Sequence, residues 1–204
     1  MIYIIRHGIT EMNKAGLLQG RIDVPLSEEG VKQAEDAAAK LRHIQFDRVF
    51  SSPLIRAVRT AEIVAPGIEP ILDDRLLEMD YGPYEGMDLR NPPPEVLGFF
   101  KDFVHVPEPE GMESLDSVVA RAGSFLEDIR CFDQNILIAT HAIAMKGLLE
   151  YLTPQSEGAY WSKYIGNCAV YTVENADGSF GVPREFLGKG ARPPVLPDYY
   201  NEKK

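Results

Sequence analysis

The first apolar run of the chain, residues 2–5, ends abruptly at Arg6-His7-Gly8. A run of this length is too short for a helix and is typical of a buried strand. In open α/β sheets, ligands bind beyond the carboxyl ends of the strands. Arg6, a permanent cation, and His7, a titratable nucleophile, therefore stand where such a sheet would meet a substrate. A histidine at a strand end often has no function, so the interpretation depends on the residues that accompany it.

A second apolar run repeats this pattern. Residues 136–139 suit a central parallel strand, and Thr140-His141-Ala142 follows them. Further strands are expected at 47–51, 68–72 and 168–174. Helices are expected at 27–42, 53–65, 95–104, 115–129 and 143–152. Because strands and helices alternate, the sequence predicts an α/β fold, a three-layer sandwich with a mostly parallel central sheet and helices on both faces.

The length of the chain is typical of one domain, so residues 1–204 are predicted to share a single core. A long polar loop is expected at 9–25, directly after the first strand. Residues 88–111 contain a phenylalanine-rich stretch with prolines on both sides. We expect this segment to form a small helical cap that chooses the substrate, and the alternative is that its phenylalanines only pack on the core.

The charge of the chain argues against some partners. A formal net charge of −10 disfavours nucleic acid and anionic membranes. Cys131 and Cys168 form no C-x-x-C pair, which favours free thiols in a reducing compartment. The N-terminus shows no signal-peptide pattern and no run reaches membrane-spanning length, so a cytoplasmic protein is expected. A homodimer is left open.

Several groups would form a phosphoryl-transfer site if the fold brought them together. Arg56 lies near the start of a predicted helix, where a guanidinium beside unpaired backbone N–H groups suits an oxyanion. Arg6 and Arg56 would neutralise a dianion, and His7 would attack it as a nucleophile. Gly8 would let the phosphate approach closely, and a carboxylic acid opposite His7 would protonate the leaving oxygen.

Other ligand classes have weaker support. The histidines, at positions 7, 43, 105 and 141, show neither H-x-H nor H-E-x-x-H spacing. The chain also lacks the G-x-x-x-x-G-K-[ST] pattern of a nucleotide-binding P-loop. The sequence therefore predicts no metal and no cofactor, although a zinc site assembled from distant residues is left open.

A series of short motifs runs through the chain. In order, they are Arg6-His7-Gly8, Thr10-Glu11, Asn13, Gln19-Gly20-Arg21, Asp23, Pro25-Leu26-Ser27, Gly30, Gln33-Ala34, Ser51-Ser52-Pro53-Leu54, Arg56-Ala57, Thr60-Ala61, Leu77-Glu78, Gly82, Glu85-Gly86 and Thr140-His141. In this order they resemble the histidine phosphatase superfamily, the group that includes cofactor-dependent phosphoglycerate mutases. The match runs from residue 2 to about residue 150. The Arg-His-Gly triplet alone would be weak evidence, whereas the ordered set is specific.

The resemblance implies a role for each matching position. His7 is expected to be the residue that is phosphorylated. Arg6, Arg56 and His141 are expected to bind the phosphoryl group, and Glu78 resembles the proton donor of the family. Five further positions are assigned to substrate binding: Asn13, Gln19, Gly20, Arg21 and Ala142.

The chain departs from the family pattern after the second histidine. Ala142 stands where glycine is usual, and its methyl group would tighten the pocket if the backbone N–H must approach phosphate. Lys146 stands where an arginine is common and is expected to face away from the chemistry. Glu85 matches a position outside the core set, so a structural role is expected for it.

The resemblance leaves hydrolysis and intermolecular phosphoryl transfer open. Mutases of this type carry a longer insert between the acid and the second histidine, whereas Glu78 and His141 are only 63 positions apart. We therefore predict a metal-independent phosphomonoester hydrolase that acts on a small phosphorylated metabolite through a phosphohistidine, similar to α-ribazole phosphatase and broad-specificity phosphatases. Phosphoglycerate mutase-type transfer and a catalytically silent phospho-ligand binding module are the alternatives.

Overall fold

The computed structural model describes residues 1–188 and 190. The helices and strands in chain order are β1 (Ile2–Arg6), α1 (Glu11–Ala15), α2 (Glu28–Leu41), β2 (Arg48–Ser51), α3 (Ile55–Val64), β3 (Ile71–Leu72), α4 (Pro94–Lys101), α5 (Leu115–Ile129), β4 (Ile136–Thr140), α6 (Ala142–Leu152), β5 (Val170–Val173), β6 (Asn175–Ala176), β7 (Ser179–Phe180) and β8 (Arg184–Glu185). Residues 189 and 191–204, which end the predicted single domain 1–204, lie outside the described residues.

The central sheet places the carboxyl ends of β1 and β4 next to each other. Its strand order is β3-β2-β4-β1-β5-β8, and β6 pairs separately with β7. β1 runs parallel to β4, with Ile5 opposite Ala139 and Arg6 opposite Thr140. β2 pairs parallel with β3 and β4, whereas β5 pairs antiparallel with β1 and β8. Because β1 and β4 end at the same level, the residues that follow them emerge side by side.

Alternate side chains of β1 cover the two faces of the sheet, as the two-residue repeat of a strand requires. Ile2 and Ile4 pack with α5 and α6 in one buried cluster. Tyr3 and Ile5 pack with α2 and α3 in a second cluster on the opposite face. The predicted α/β sandwich, with a mostly parallel sheet and helices on both faces, is confirmed.

The polar stretch that was expected to be a loop, residues 9–25, contains the short helix α1. The Thr10 hydroxyl accepts a hydrogen bond from Asn13 N at 3.2 Å, and Thr10 N donates to Asn13 Oδ1 at 3.2 Å. This capping box gives partners to N–H groups at the helix start that would otherwise lack them. Asn13, a predicted substrate ligand, is therefore also part of a local cap.

The α3 helix begins at Ile55, two residues later than the sequence predicts from Ser52-Pro53. Ser52 Oγ accepts a hydrogen bond from Leu54 N at 3.3 Å, and it also lies 2.7 Å from His141 Nε2. The serine thus links the turn after β2 to a histidine after β4 instead of capping the helix.

The predicted cap, residues 88–111, contains α4, which is shorter than the helix predicted at 95–104. The buried side chains of α4 are Val96, Phe99 and Phe100. They form a third apolar cluster with residues of α5 and α6. The segment is therefore packed against the rest of the domain, next to the start of α6.

No helix in the described part of the chain is long and apolar enough to cross a membrane. Cys131 is exposed, Cys168 is buried, and both thiols are free, as predicted.

Candidate active site

His7 and His141 lie side by side at the carboxyl ends of β1 and β4. Their ring centroids are 5.1 Å apart and their planes meet at 60°. His7 is 4% exposed and His141 is fully buried. His7 N donates to Thr140 O at 2.9 Å, which extends the pairing of the two strands by one residue. The structure thus brings together two histidines that are far apart in the sequence, as predicted.

The hydrogen bonds of His7 leave one ring nitrogen available as a nucleophile. Nδ1 lies 2.7 Å from Gly8 O, and because a carbonyl oxygen only accepts, Nδ1 carries the proton. Nε2 lies 3.3 Å from the donor Nε of Arg56, so Nε2 keeps its lone pair. The fold therefore holds His7 in the neutral tautomer whose Nε2 can attack an electrophile.

Gly8 is required by packing, and the close approach of phosphate that the sequence suggested stays a prediction. A Cβ atom at this position would lie 2.4 Å from Gly30 O, in the first turn of α2. The Gly8 N–H donates to Thr60 Oγ1 at 3.1 Å, so it is already engaged. The residue thus lets α2 and α3 pack against the backbone that carries His7.

Arg56 is fully buried beside His7, and backbone carbonyl groups fix its guanidinium. Nη1 donates to Ile22 O at 2.8 Å and Nη2 donates to Gly20 O at 2.6 Å. With its oxygen turned to the guanidinium, the Gln19 amide accepts from Nε at 3.2 Å and from Nη1 at 2.9 Å. Burial lowers the pKa of Arg56 to about 10, so the group remains a cation at neutral pH.

Arg6 supplies a second cation to the site. Its Nη1 donates to Ile165 O at 2.5 Å. Its Nε is buried and has no partner among the residues that the structure describes. Because an unpaired buried N–H group costs free energy, a ligand oxygen bound here would be stabilised.

Burial and the two arginines keep both histidines neutral. Burial lowers the pKa of His7 well below its usual value of 6.5, and the charges of Arg56 and Arg6 lower it further. Burial and Arg56 also lower the pKa of His141 well below that value. At neutral pH the site therefore presents two uncharged imidazoles and two guanidinium cations, surroundings that favour a dianionic ligand.

A chain of hydrogen bonds orients His141. Leu54 N donates to Ser52 Oγ, which lies 2.7 Å from His141 Nε2. When the Ser52 hydroxyl donates to Nε2, the imidazole proton of His141 resides on Nδ1. His141 Nδ1 is buried and has no partner within the described chain. His141 thus offers an unused donor that suits a phosphoryl oxygen.

Glu78 is buried at the N-terminus of α6. Its Oε1 accepts hydrogen bonds from Ile143 N at 3.1 Å and from Ala144 N at 2.9 Å. These bonds supply the capping that the side chain of His141, the N-cap residue, does not provide. The carboxyl group is therefore fixed beside the helix start that follows the second histidine.

One cavity lies over this cluster. It is lined by five of the predicted site residues: Arg6, Asn13, Gln19, Glu78 and Ala142. Three more of the predicted site residues, His7, Arg56 and His141, are buried and are not part of this lining. They are linked to it through their neighbours, because His7 follows Arg6, His141 precedes Ala142, and Arg56 contacts Gln19.

Two predicted substrate-binding residues lie outside the lining of this cavity. Arg21 forms ion pairs of 3.5 Å with Asp80 and with Glu113, so its guanidinium faces the neighbouring loop. Gly20 acts through its carbonyl group, which binds Arg56. The sequence located this loop but did not separate the residues that face the cavity from those that support it.

Glu85 holds the same loop in place, in agreement with the structural role predicted for it. Its carboxylate accepts hydrogen bonds from Gly20 N at 3.1 Å, Arg21 N at 2.8 Å and Ile22 N at 3.3 Å. By fixing these residues, it also fixes the carbonyl groups that hold Arg56.

Sequence reasoning missed part of the cavity wall, which residues 161–165 and Lys146 form. The expectation that Lys146 faces away from the chemistry is wrong, because its side chain is buried and lines the cavity. The one signal of this placement was a lysine among the apolar residues of the first two turns of α6. Asn167 was also missed, and its Nδ2 donates to the backbone oxygen of His7 at 3.0 Å.

The described residues contain no group of three or more His, Cys, Asp or Glu side chains that could hold a metal ion. The predicted metal-free reaction stays a prediction, and a chelator tests it below.

The sequence model of the family described as histidine phosphatase superfamily (branch 1) matches residues 2–185. The chain belongs to the histidine phosphatase superfamily. Phosphoserine phosphatase 1 from Hydrogenobacter thermophilus is 35% identical over 179 residues, which cover 84% of this chain and 84% of the relative. The probable phosphoglycerate mutase GpmB from Escherichia coli is 30% identical over 183 residues, covering 85% and 84%.

Solved structures of histidine phosphatases share the fold. A phosphoserine phosphatase variant from Entamoeba histolytica, in complex with phosphoserine, has a TM-score of 0.80 and 26% identity, covering 92% of this chain and 96% of its own. A putative α-ribazole-5′-P phosphatase from Escherichia coli matches the fold with a TM-score of 0.79 at 24% identity, covering 93% and 96%. The relatives named phosphoserine phosphatase support a phosphomonoester hydrolase of the histidine phosphatase type, and the phosphoglycerate mutase-like relative supplies the alternative.

The protonation of this histidine phosphatase site can be measured directly. We expect ¹⁵N-histidine NMR to show His7 as the neutral tautomer protonated at Nδ1, with a titration midpoint well below 6.5. Arg56→Gln should move this midpoint upward, because it removes a cation beside the ring. A midpoint for His7 at or above 6.5 would contradict the expectation.

Proposed function

We propose that this chain hydrolyses a small phosphomonoester through a phosphohistidine formed on Nε2 of His7. The observation that carries the proposal is the state of His7. Its Nδ1 donates to Gly8 O, and its Nε2 keeps its lone pair. The centroid of its ring lies 5.1 Å from that of the His141 ring. A buried neutral imidazole with a fixed tautomer between two cations is suited to attack on a dianion.

In the first half-reaction, His7 Nε2 attacks the phosphorus atom, and the bond from phosphorus to the leaving oxygen breaks. Arg6, Arg56 and His141 donate hydrogen bonds to the other phosphoryl oxygens, where charge is spread in the transition state. Glu78 in its protonated form gives its proton to the leaving oxygen, so the product departs as an alcohol.

In the second half-reaction, Glu78, now a carboxylate, takes a proton from water. The water oxygen attacks phosphorus, the bond to His7 Nε2 breaks, and inorganic phosphate leaves. The proton returns Glu78 to its starting state, so the cycle consumes one water and needs no other reactant.

The contact between Arg56 and His7 must change when substrate binds. In the free protein, the N–H of Arg56 Nε points to His7 Nε2 at 3.3 Å. A phosphoryl oxygen is a stronger acceptor than a neutral imidazole nitrogen, so it would take over this donor and release the nucleophile. Arg56 would thus act in both states while Gly20 and Ile22 hold its terminal nitrogens.

The substrate class and the setting of the enzyme belong to the same proposal. Relatives named phosphoserine phosphatase support a small phosphorylated metabolite as the substrate. The cap, residues 88–111, would select it, because Leu89, Phe100 and Phe103 line the cavity. A cytoplasmic location and a homodimer stay predictions.

Phosphoglycerate mutase-type transfer is the second candidate, because a relative at 30% identity carries the name probable phosphoglycerate mutase. Both reactions would form the same phosphohistidine and differ in the acceptor of the phosphoryl group. The 63 positions between Glu78 and His141 favour the compact phosphatase form. Incubation of the phosphorylated protein with a phosphoglycerate acceptor in water separates them, since a mutase yields a bisphosphoglycerate and a phosphatase yields inorganic phosphate.

The purified protein is expected to release phosphate from p-nitrophenyl phosphate and from small phosphomonoesters, with a rate that excess EDTA leaves unchanged. The physical reason is that the arginines supply the positive charge that a metal would otherwise provide. Phosphate release with and without the chelator is the measurement. A protein that loses its activity in EDTA, or that binds the esters without any turnover, would contradict the proposal.

A further inference from the structure

The cavity is lined by aromatic and cationic side chains besides those of the phosphoryl site. Those that matter here are Phe100, Phe103, Trp161, Lys101, Lys146 and Lys163. Although the chain carries a formal net charge of −10, the three lysines make the lining of this cavity locally positive. The only acid in the described lining is Glu78. The cavity thus combines an apolar wall with positive charge that the phosphoryl site does not use.

Lys146 differs from the other two lysines because it is buried, with 7% of its surface exposed. Its Nζ donates to Trp161 O at 2.8 Å and lies 5.0 Å from the centre of the Phe103 ring. An ammonium group has three donors, and Trp161 O is the one acceptor that the described residues give it. No described carboxylate lies within 4.0 Å of Nζ. Two donors of a buried cation are therefore available to a ligand.

The described residues do not supply a contacting counter-ion for this group. Burial lowers the pKa of Lys146 to about 7, the charges of Glu78 and Glu150 only partly oppose this effect, and the charge of Arg6 adds to it. Glu78 is not a direct partner, because its Oε1 is held by Ile143 N and Ala144 N. A buried cation without an anionic partner is destabilised, so an anion that reached Lys146 would be bound favourably and would keep it charged.

We propose that Lys146 binds a carboxylate on the leaving group of the substrate, so that the enzyme selects phosphorylated organic acids over phosphomonoesters with an uncharged leaving group. This inference rests on the proposed function, which places the phosphoryl group at His7. A carboxylate fits the site better than a second phosphoryl group, because one ammonium serves it and no further arginine lines the cavity in the described residues.

The rest of the cavity agrees with such a ligand. Phe103 and Trp161 contact Lys146 and provide an apolar wall for the short carbon skeleton between the two anions. Lys101 and Lys163 are exposed, and their charges would attract a ligand with two anionic ends before it enters. Lys146 is therefore assigned a role in specificity, not in the chemical steps.

Two probes that differ in one group test the proposal: 3-phosphoglycerate carries a carboxylate where glycerol 3-phosphate carries a hydroxymethyl group. Calorimetry in the His7→Ala background measures binding without turnover. We expect this parent to bind 3-phosphoglycerate about 10- to 100-fold more tightly, the range of one charge-assisted hydrogen bond. Lys146→Met should remove this preference and change the affinity for glycerol 3-phosphate less than about twofold.

Two further variants make the test specific. Lys146→Gln, which keeps a donor for Trp161 O, should lose the preference as well, so the result does not depend on the folding of one variant. Lys40→Met removes the same charge from an exposed position on α2 and should leave the preference unchanged. Equal affinities in the parent, or a preference that survives both Lys146 variants, would overturn the proposal. Failure of the proposed function is a separate result, a wild-type protein that binds 3-phosphoglycerate but hydrolyses no phosphomonoester.

Discussion

His7→Ala is expected to lower kcat for every phosphomonoester at least about 10⁴-fold, the scale of losses when a covalent nucleophile is removed. Alanine has no atom that can form the phosphoenzyme, and the geometry around His7 Nε2 offers no replacement. His141 Nε2 is engaged with the Ser52 hydroxyl at 2.7 Å, so it is not free to take over as the nucleophile. Steady-state phosphate release measures the loss.

A second measurement identifies the intermediate. The wild-type protein, mixed briefly with ³²P-labelled substrate and quenched, should carry phosphate that is labile in acid and stable in base, and peptide mapping should place it on His7. His7→Ala should carry none. His105→Ala, which removes an exposed histidine, should keep both the label and the activity. Label on His141, or substantial turnover by His7→Ala, would refute the assigned nucleophile.

Glu78→Gln is expected to slow phosphoenzyme formation from glycerol 3-phosphate by about 10²- to 10⁴-fold, the usual contribution of a general acid. Its amide oxygen can still accept from Ile143 N and Ala144 N, so the start of α6 stays capped. The amide cannot protonate the leaving oxygen. With p-nitrophenyl phosphate, whose phenolate leaves without a proton, the loss should be less than about tenfold. Rapid-quench measurement of the first turnover gives both rates.

The matched control for this variant is Glu85→Gln. Glu85 binds the backbone of residues 20–22, whose carbonyl groups hold Arg56, and it does not line the cavity. The Glu85→Gln substitution should therefore slow phosphoenzyme formation from the two substrates to the same degree. Equal losses on both substrates with Glu78→Gln would instead mean that Glu78 is only a helix cap, and another group would have to supply the proton.

The placement of the two histidines was predictable because the information is local. Residues 2–5 and 136–139 are apolar runs that stop at a histidine, and parallel strands end at a common edge. The roles given to Arg6, Arg56 and Glu78 came from ordered motifs and agree with where the structure places these side chains. Their catalytic function stays a prediction until the variants above are measured.

The parts that were missed depend on contacts between distant segments. Lys146 faces the cavity because α6 packs between the sheet and the cap, and its bond to Trp161 O is made by a loop that follows the helix. Ser52 resembled a helix cap in the sequence, yet its hydroxyl bonds to His141, 89 positions away. Gly8 was interpreted as a place where phosphate approaches, and the sequence did not show that the nearby backbone of Gly30 also leaves no room for a Cβ atom there. In each case the local sequence allows more than one contact for the residue, and tertiary packing determines which contact is made.

β1 and β4 lie in the interior of the sheet, whereas Phe100, Phe103 and the 161–165 loop form a wall that is attached from outside it. Substitutions in that wall can change which molecule is accepted without disturbing the backbone that carries the reactive imidazole. Evolution can therefore change the substrate range of such an enzyme while its chemistry is inherited unchanged. For an engineer, the wall is the place to redesign and the strand ends are the place to leave alone.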